Sequence, residues 1–459
     1  MESKKTRNII ISIVVILVVI CLCVGLVTIG GVGVALVWPF SRASETAVPT
    51  QITETAPGAT EERDAIPSDQ SEAMGLIEQE VSQLRGLNAS APVARTLISE
   101  TELEAIVRED FFADYTDEES QQDAWVLSVM GLLPPDFDLK EFYNLLYSEQ
   151  IAGFYDDEAA AMYVVQGGEF GGSEKMTYAH EYTHVLQDQN YGLDEGLGLN
   201  DEACLEDSEK CAAVQALIEG DATLSEIEWV QTYATLRDIQ DIVDSYDSYE
   251  SPILDSAPAY MVADLGFPYD SGYVFVEALF NAGGFEAVDE AYRNLPVSTE
   301  QILHPERYPG DVPVAVILPD LTDLLDSGWY LYDQNVMGEW YTYLILNRGH
   351  DAAFQLPDEQ AKTAAEGWGG DAYAFYLNSE TDDVIFVMDT VWDTTQDAGE
   401  FANTFIEYAS QRWDPGATSS VRSWTGVDGT VVFWQDDDRT VWVIAPTFEM
   451  GTAILAEVK

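Results

Sequence analysis

The feature that most constrains this chain is an uncharged apolar run near its N terminus. From Ile9 to Val37 there are 29 residues without a charged side chain, and most of them are Ile, Val or Leu. About 20 apolar residues in a helix are enough to cross a bilayer. Three basic residues precede the run and a single one follows it closely, so the positive-inside rule predicts a cytoplasmic N terminus. We therefore predict a cytoplasmic tail at residues 1–8 and a transmembrane helix at residues 9–38, with the rest of the chain outside the cytoplasm.

A cleaved signal peptide is the alternative interpretation of this run. The apolar part of a signal peptide usually has 7–15 residues and is followed by a cleavage site of small residues. Here the run is about twice that length and ends in Val37-Trp38-Pro39. These two differences favour an uncleaved anchor in the cell membrane.

The charge balance excludes one class of partner. The chain has 20 Lys and Arg residues against 82 Asp and Glu residues, which gives a formal net charge of -62. A surface with this charge repels polyphosphate, so we predict that the protein does not bind nucleic acid. Hydrophobic residues nevertheless make up 47% of the chain, which is too many for a disordered protein.

The composition along the chain predicts two folded regions. Residues 39–70 are rich in Thr, Pro, Ala, Ser and Glu, which is typical of a disordered linker. For residues 71–313 the apolar spacing predicts a mainly helical domain with a small β-hairpin. For residues 314–459 it predicts an α+β domain with a mainly antiparallel sheet, whose last strand is expected at Ala453–Val458. The fold class is therefore α+β.

Two cysteines in the exported part are close in sequence. Cys204 and Cys211 are separated by six residues. In an oxidising compartment this pair is expected to form a local disulfide, whereas a zinc site built on them would need two further ligands. We predict the disulfide.

The chemistry is concentrated in His180-Glu181-Tyr182-Thr183-His184, which has the pattern H-E-x-x-H. Four residues of α-helix turn by about 400° and rise by about 6 Å, so the two imidazoles lie on one face and can bind one Zn²⁺. Glu181 is then expected to act as the general base that takes a proton from a zinc-bound water. Two surface histidines on a solvated helix are the structural alternative.

A catalytic zinc site needs a third protein ligand. A downstream His of the metzincin type is excluded, because Gln187 and Asn190 occupy the positions where that motif has Gly and His. We predict Glu219 as the third ligand, 35 residues after His184 on a helix rich in Ala. Three other glutamates are the alternatives: Glu195, Glu202 and Glu226.

At this point the sequence resembles the gluzincin-type zinc metallopeptidases, in which H-E-x-x-H on one helix and a Glu on a following helix hold the metal. His180, His184 and Glu219 fall on the ligand positions, and Glu181 falls on the general-base position. Thermolysin-like members have an Asp four residues after the ligand Glu, whereas this chain has Thr at 223 and an acid at Asp221. A supporting role for Asp221 is therefore a hypothesis.

The resemblance extends over about residues 145–310 and includes two further segments. Glu219-Gly220-Asp221-Ala222 and Ser298–Pro305 are similar to segments in a group of bacterial and archaeal membrane-anchored zincins. The resemblance implies that residues 71–313 form a zincin-like metallopeptidase domain, and it leaves the C-terminal domain unexplained.

The segment containing His304 and Tyr308 is the remaining candidate for chemistry. If it folds over the cleft, either side chain can donate a hydrogen bond to the oxyanion that forms during hydrolysis. The alternative is that His304 caps a helix before Pro305. His350 lies in a predicted turn, where solvent exposure is a sufficient explanation, and we assign it no role.

Together these observations predict a membrane-anchored, zinc-dependent endopeptidase that cleaves a peptide or protein substrate outside the cytoplasm. The alternative is a binding or scaffolding module on a zincin-like fold without activity. Catalysis requires Glu181 and an open metal position, whereas a structural site needs a fourth protein ligand and does not depend on Glu181.

Overall fold

The structure of the protein is a computed structural model. It describes residues 66–112, 115–157, 159–165, 170–416, 421–427 and 429–459. The predicted cytoplasmic tail and transmembrane helix lie outside these residues. Within the described part of the chain, no helix combines the length and the apolar character that a membrane crossing requires.

The fold is mixed α+β, as predicted, and its first helix begins earlier than the sequence suggested. Helix α1 spans Ser68–Arg85 and follows Pro67, which occupies its N-cap position. Residues 68–70 were predicted to belong to the linker, and this prediction is wrong because they form the first turn of α1. The apolar face of this helix, with Met74, Ile77 and Val81, is buried against later elements and holds the turn in place.

The elements up to the H-E-x-x-H helix form a small three-stranded sheet surrounded by helices. They are strand β1 (Ala94–Ile98), helices α2 (Glu100–Ile106), α3 (Asp117–Val129) and α4 (Leu139–Gln150), strands β2 (Gly153–Asp156) and β3 (Ala161–Val165), and helix α5 (Gly172–Tyr191). The strand order is β1-β3-β2. The predicted hairpin is confirmed, since β2 and β3 are antiparallel. Strand β1 was not predicted as a separate element, because its parallel partner β3 is far away in sequence.

Seven helices lie between α5 and the first strand of the large sheet. They are α6 (Asp201–Glu206), α7 (Ser208–Tyr233), α8 (Leu236–Ser248), α9 (Pro252–Asp255), α10 (Ala259–Gly283), α11 (Phe285–Arg293) and α12 (Thr299–Leu303). The long helices α7 and α10 approach each other closely at two glycines. A Cβ atom on Gly220 would lie 2.2 Å from the carbonyl oxygen of Gly272, so only glycine permits this distance.

The C-terminal part of the chain, from residue 329 onward, contains a seven-stranded antiparallel sheet. Its elements are β4 (Trp329–Asn335), α13 (Gly338–Asn347), α14 (Asp358–Ala365), β5 (Trp368–Asn378), β6 (Val384–Trp392), α15 (Thr395–Arg412), β7 (Asp414–Pro415), β8 (Arg422–Gly426), β9 (Gly429–Asp436), β10 (Arg439–Ala445) and α16 (Phe448–Val458). The strand order is β4-β5-β6-β10-β9-β8-β7. Phe386 and Met388 face the core that contains α15, and Ile385 and Val387 face the core that contains α16. This alternation follows the period of two in a strand.

The predicted last strand at Ala453–Val458 is wrong, because this segment is the end of helix α16. Thr447 caps the helix by accepting a hydrogen bond from the Met450 N–H group. Ile454, Leu455 and Val458 are buried against one face of the sheet. Their spacing of one and three residues suits a helix face, and a short apolar run alone does not distinguish a helix from a strand.

The largest apolar core crosses the predicted boundary between residues 313 and 314. It contains Leu127 and Tyr147 from the helical part together with Phe386 and Trp442 from the large sheet. Hydrogen bonds also cross the boundary, since Tyr332 O–H donates to Asp123 across 2.6 Å. The two regions therefore pack as one continuous interior.

The predicted disulfide is confirmed. Cys204 in α6 and Cys211 in the first turns of α7 are bonded, with their Cα atoms 5.2 Å apart. Both cysteines belong to the apolar core around α7 and α10. The bond ties α6 to the helix that carries Glu219.

Candidate metal centre

Helix α5 brings the H-E-x-x-H motif into the interior. The helix is buried along most of its middle, and His180 and Glu181 belong to this buried stretch. Its start is fixed by α8, because a Cβ atom on Gly172 would lie 2.0 Å from the carbonyl oxygen of Asp238. Lys175 then forms an ion pair of 2.6 Å with the carboxylate of Asp238. These contacts hold the N-terminal end of α5 against the neighbouring helix.

Three of the predicted ligands converge on one point. The Nε2 atom of His180 lies 3.2 Å from Oε2 of Glu219, and Nε2 of His184 lies 3.4 Å from the same oxygen. The two imidazole rings are 4.8 Å apart between their centroids. Glu219 reaches them from α7, which packs along α5. The structure therefore brings His180, His184 and Glu219 together.

The other nitrogen of each imidazole has its own partner. His180 Nδ1 lies 3.0 Å from Oε2 of Glu226, and His184 Nδ1 lies 2.8 Å from Oε1 of Gln187. When each Nδ1 carries the ring proton, it donates a hydrogen bond to one of these oxygens. Both Nε2 atoms are then unprotonated and face Glu219. Such partners commonly orient metal-binding histidines. Glu226, predicted as an alternative ligand, is therefore placed behind His180.

Asp221 reaches the site through Gln187. The Gln187 Nε2–H₂ group donates to Asp221 Oδ2 across 3.1 Å and to the carbonyl oxygen of Ile218 across 2.9 Å. The other oxygen of Asp221 accepts a hydrogen bond of 2.7 Å from the Nε–H group of Arg85. Asp221 is therefore linked to His184 indirectly, through Gln187, and its supporting role stays a hypothesis. Gln187 was not assigned this role from the sequence, although its spacing of three residues from His184 on a helix was the available signal.

Glu181 lies next to the converging atoms with a different environment. Its Oε2 accepts a hydrogen bond of 3.1 Å from the Tyr155 N–H group in β2. Ligand atoms of His180, Glu181 and His184 lie within 4.8 Å of one another. Glu219 Oε2 lies 3.2 and 3.4 Å from the two Nε2 atoms, so two carboxylates, those of Glu181 and Glu219, lie near the two imidazoles.

The electrostatics separate the two carboxylates. Burial raises the pKa of Glu181. Burial also acts to raise the pKa of Glu219, but the adjacent His184 and His180 together lower it to about 2. For His180 burial acts to lower the pKa, whereas hydrogen bonds with Glu219 and Glu226 raise it above its ordinary value. Glu219 is thus ionised, as a metal ligand must be, and cation binding would release protons from the histidines.

The donor set and its spacing fit a zinc ion. Two imidazole nitrogens with one carboxylate oxygen are the protein ligands of many catalytic zinc sites. With bonds of about 2.0–2.1 Å, two ligand atoms of a tetrahedral site are about 3.3 Å apart. The separations of 3.2 and 3.4 Å from Glu219 agree with this spacing.

The remaining candidates have other partners. His304 Nε2 lies 2.9 Å from Oε1 of Glu339 in α13, and Tyr308 O–H donates to the carbonyl oxygen of Asn294 across 2.6 Å. His304 also occupies the C-cap position of α12, which was the alternative interpretation. Neither side chain has a contact with the four site residues among the described interactions. Glu195 and Glu202, the other alternative ligands, are exposed.

A second acidic group occurs at the boundary with the large sheet. Carboxylate oxygens of Glu300, Asp311 and Asp393 lie within 4.8 Å of one another. The guanidinium of Arg307 lies among them, in contact with Glu300, 3.4 Å from Asp311 and 3.0 Å from Asp393. Since Arg307 already supplies a cation there, this group carries no argument for a metal.

The fold is mixed α+β, and its helical part contains a cluster of two histidines and two glutamates, His180, His184, Glu181 and Glu219. A family model described as a domain of unknown function, DUF8575, matches residues 330–455. The match begins in β4 and ends in α16, so it lies within the predicted C-terminal domain and does not include His180, Glu181, His184 or Glu219. No curated protein and no solved structure gives a significant match to the chain.

Proposed function

We propose that the protein is a zinc-dependent endopeptidase anchored in the membrane, with its catalytic residues outside the cytoplasm. The observation that carries this proposal is the convergence of His180 Nε2, His184 Nε2 and Glu219 Oε2 on one point. Glu181 lies beside that point with a buried carboxylate. The family resemblance stated for these residues supports the same conclusion.

The residues divide the work of hydrolysis among them. When bound, a zinc ion would polarise the scissile carbonyl and lower the pKa of a coordinated water. Glu181 accepts a proton at its carboxylate and delivers it to the leaving amine, and burial, which raises its pKa, favours such a role. Glu226 and Gln187 hold the two imidazoles in the orientation that points both Nε2 atoms at Glu219.

Two features of the chain support the proposed compartment. The uncharged run at residues 9–38 favours a single crossing with a cytoplasmic N terminus. The disulfide between Cys204 and Cys211 suits an oxidising environment. Both features support a location outside the cytoplasm for residues 71–459.

The proposal is tested on the full-length protein purified in detergent. Bound zinc is measured by elemental analysis, and cleavage of an unstructured protein substrate is followed for the wild type, Glu181→Gln and Glu219→Gln. Glu195→Gln is the matched control, because Glu195 is an exposed glutamate that follows α5, the helix that carries Glu181. We expect one zinc per chain in the wild type, and we expect Glu181→Gln to retain zinc while its cleavage rate falls by about 10²–10⁴-fold.

Two outcomes would overturn the proposal in different ways. Folded protein without zinc would contradict the metal site. If the wild type binds stoichiometric zinc but does not cleave the substrate, and Glu181→Gln behaves in the same way, the non-catalytic binding module is favoured. Glu219→Gln is expected to lose zinc as well as activity, whereas Glu195→Gln should leave both unchanged.

A further inference from the structure

A cavity lies between the helical part and the large sheet. Its volume is about 130 Å³, and it is bounded by residues of α3, α7, α10, β4, α13 and β5. An apolar cavity of about 150 Å³ is enough for a molecule of the size of benzene. Leu205, Ser208, Asp333 and Val336 are partly exposed members of its wall, so this side faces the solvent.

Six aromatic residues contribute to the wall of the cavity. Phe267 and Trp340 stack with their ring centroids 4.6 Å apart, and Tyr341, Tyr373 and Phe375 complete this side of the wall. All residues that line the cavity lie in the described part of the chain, and none of them is Lys, Arg or His. Aromatic faces attract cations through their quadrupole, especially where water is excluded.

Two carboxylates of the wall are held by neutral donors. Asp264 accepts hydrogen bonds from Trp340 Nε1–H across 2.8 Å and from Tyr341 O–H across 2.6 Å. Asp123 accepts from Tyr332 O–H across 2.6 Å and from Tyr115 O–H across 2.7 Å. Neither carboxylate forms an ion pair within the described part of the chain.

A third carboxylate, Glu209, comes from the first turn of α7. It accepts hydrogen bonds from the N–H and O–H groups of Thr299 across 2.6 and 2.7 Å. Burial raises the pKa of Glu209 and of Asp264, and it raises the pKa of Asp123 to about 7. A buried carboxylate without a cationic partner is costly to ionise, and a cation in the cavity would remove much of that cost.

We propose that this cavity is a binding site for an organic cation with an apolar body, held by its aromatic wall and by the carboxylates of Asp264, Asp123 and Glu209. The proposal goes beyond hydrolysis and does not depend on the metal centre. The apolar body replaces water against the rings, and the charged group approaches the carboxylates. A neutral molecule of the same shape makes only the first of these contacts.

The cavity adjoins the metal centre on two helices. Gln215 lines the cavity and lies one helical turn before Glu219 on α7. On α10, Pro268 lines the cavity, and the ring of the next residue, Tyr269, lies 6.2 Å from the His180 ring. The cation therefore has two sources that the experiment must distinguish: the side chain of a Lys or Arg in a peptide substrate, or a free amine.

Binding is measured by calorimetry on the full-length protein, with benzylammonium and the matched neutral probe benzyl alcohol. We expect benzylammonium to bind about 10–100-fold more tightly, as for a hydrogen bond to a charged group. Asp264→Asn should remove most of this difference, and Ala212→Met, which fills the cavity from α7, should weaken both probes. Asp320→Asn changes an exposed carboxylate outside the cavity and should have no effect.

Equal binding of the two probes by the wild type, or no binding of either, would overturn the proposal even if Asp264→Asn does not fold. The source is distinguished with pairs of peptides that carry Lys or its neutral analogue norleucine. If the Lys peptide competes with benzylammonium, the source is a peptide side chain. If only free amines compete, the source is a small molecule. Absence of cleavage activity in the wild type would contradict the proposed function. The comparison of benzylammonium with benzyl alcohol does not depend on that activity.

Discussion

His180 Nδ1 and Glu226 Oε2 lie 3.0 Å apart in a buried contact between α5 and α7. Glu226 follows Glu219 by seven residues, which is two helical turns, so both carboxylates lie on the face of α7 that meets α5. One carboxylate meets Nε2 of His180 and the other meets Nδ1. The orientation of this imidazole is therefore set by a single helix.

Removal of the Glu226 carboxylate should weaken metal binding. We expect Glu226→Ala to lower zinc affinity by about 10–100-fold, because the His180 ring loses the partner that orients it. Affinity is measured by competition with a chelator, with circular dichroism as a check that the variant is folded. Glu228→Ala, on the same helix, is the control. Equal zinc affinity of the two variants would contradict the role given to Glu226.

The close contact of α7 and α10 should be sensitive to one added methyl group. Gly220→Ala places a Cβ atom 2.2 Å from the Gly272 carbonyl oxygen, so the helices must separate. We expect the free energy of unfolding to fall by about 1–3 kcal/mol and zinc affinity to fall with it, since Glu219 is the adjacent residue. Gly399→Ala is the control, because no atom lies within 4 Å of its Cβ position. That variant should gain about 0.5–1 kcal/mol from helix propensity, and a similar gain in Gly220→Ala would refute the argument.

The ion pair behind Gln187 should matter for stability. Arg85 Nε lies 2.7 Å from Asp221 Oδ1, and both side chains are fully buried. Arg85→Met leaves a buried carboxylate without its partner, so we expect the free energy of unfolding to fall by about 3–5 kcal/mol. The measurement is denaturant unfolding followed by tryptophan fluorescence. Arg293→Met removes an exposed ion pair with Glu290 and should leave stability nearly unchanged. Comparable losses in the two variants would exclude a special role for Arg85.

The pH dependence of stability should contain a contribution from Asp123. Burial raises its pKa to about 7, against hydrogen bonds from Tyr332 and Tyr115, while the nearby carboxylates Asp333 and Glu119 also raise it. Between about pH 4 and pH 7 the folded state holds this proton and the unfolded state releases it. Stability from this group is therefore lost as the pH rises through that window, by up to about 4 kcal/mol in total.

Asp123→Asn removes the proton uptake and keeps a side chain that can accept a hydrogen bond. We expect its free energy of unfolding to fall less steeply than that of the wild type from pH 4 to pH 7, as measured by denaturant unfolding across this range. Parallel pH profiles of the two proteins would show that Asp123 does not titrate in this window.

The predictions made from the sequence agree best with the structure where they depend on residues that are close together in the chain. The hairpin of β2 and β3 and the helical position of the H-E-x-x-H motif were predicted from short stretches of the chain, and the disulfide joins two cysteines only seven residues apart. The prediction failed for α16, where a short apolar run was read as a strand. Burial of Ile454, Leu455 and Val458 against the sheet selects the helix, and those contacts involve distant residues.

By itself, the sequence determined that His180 and His184 share one face of a helix with Glu181 beside them, because the helical period places residues four apart on the same side. It did not determine that Glu226 rather than Glu219 stands behind His180, that Gln187 links His184 to Asp221, or that His304 turns to Glu339. Those assignments depend on how α5, α7, α12 and α13 pack. Packing distances between helices are set by side-chain volumes and close contacts such as Gly220 against Gly272, which become defined only when the whole core is assembled.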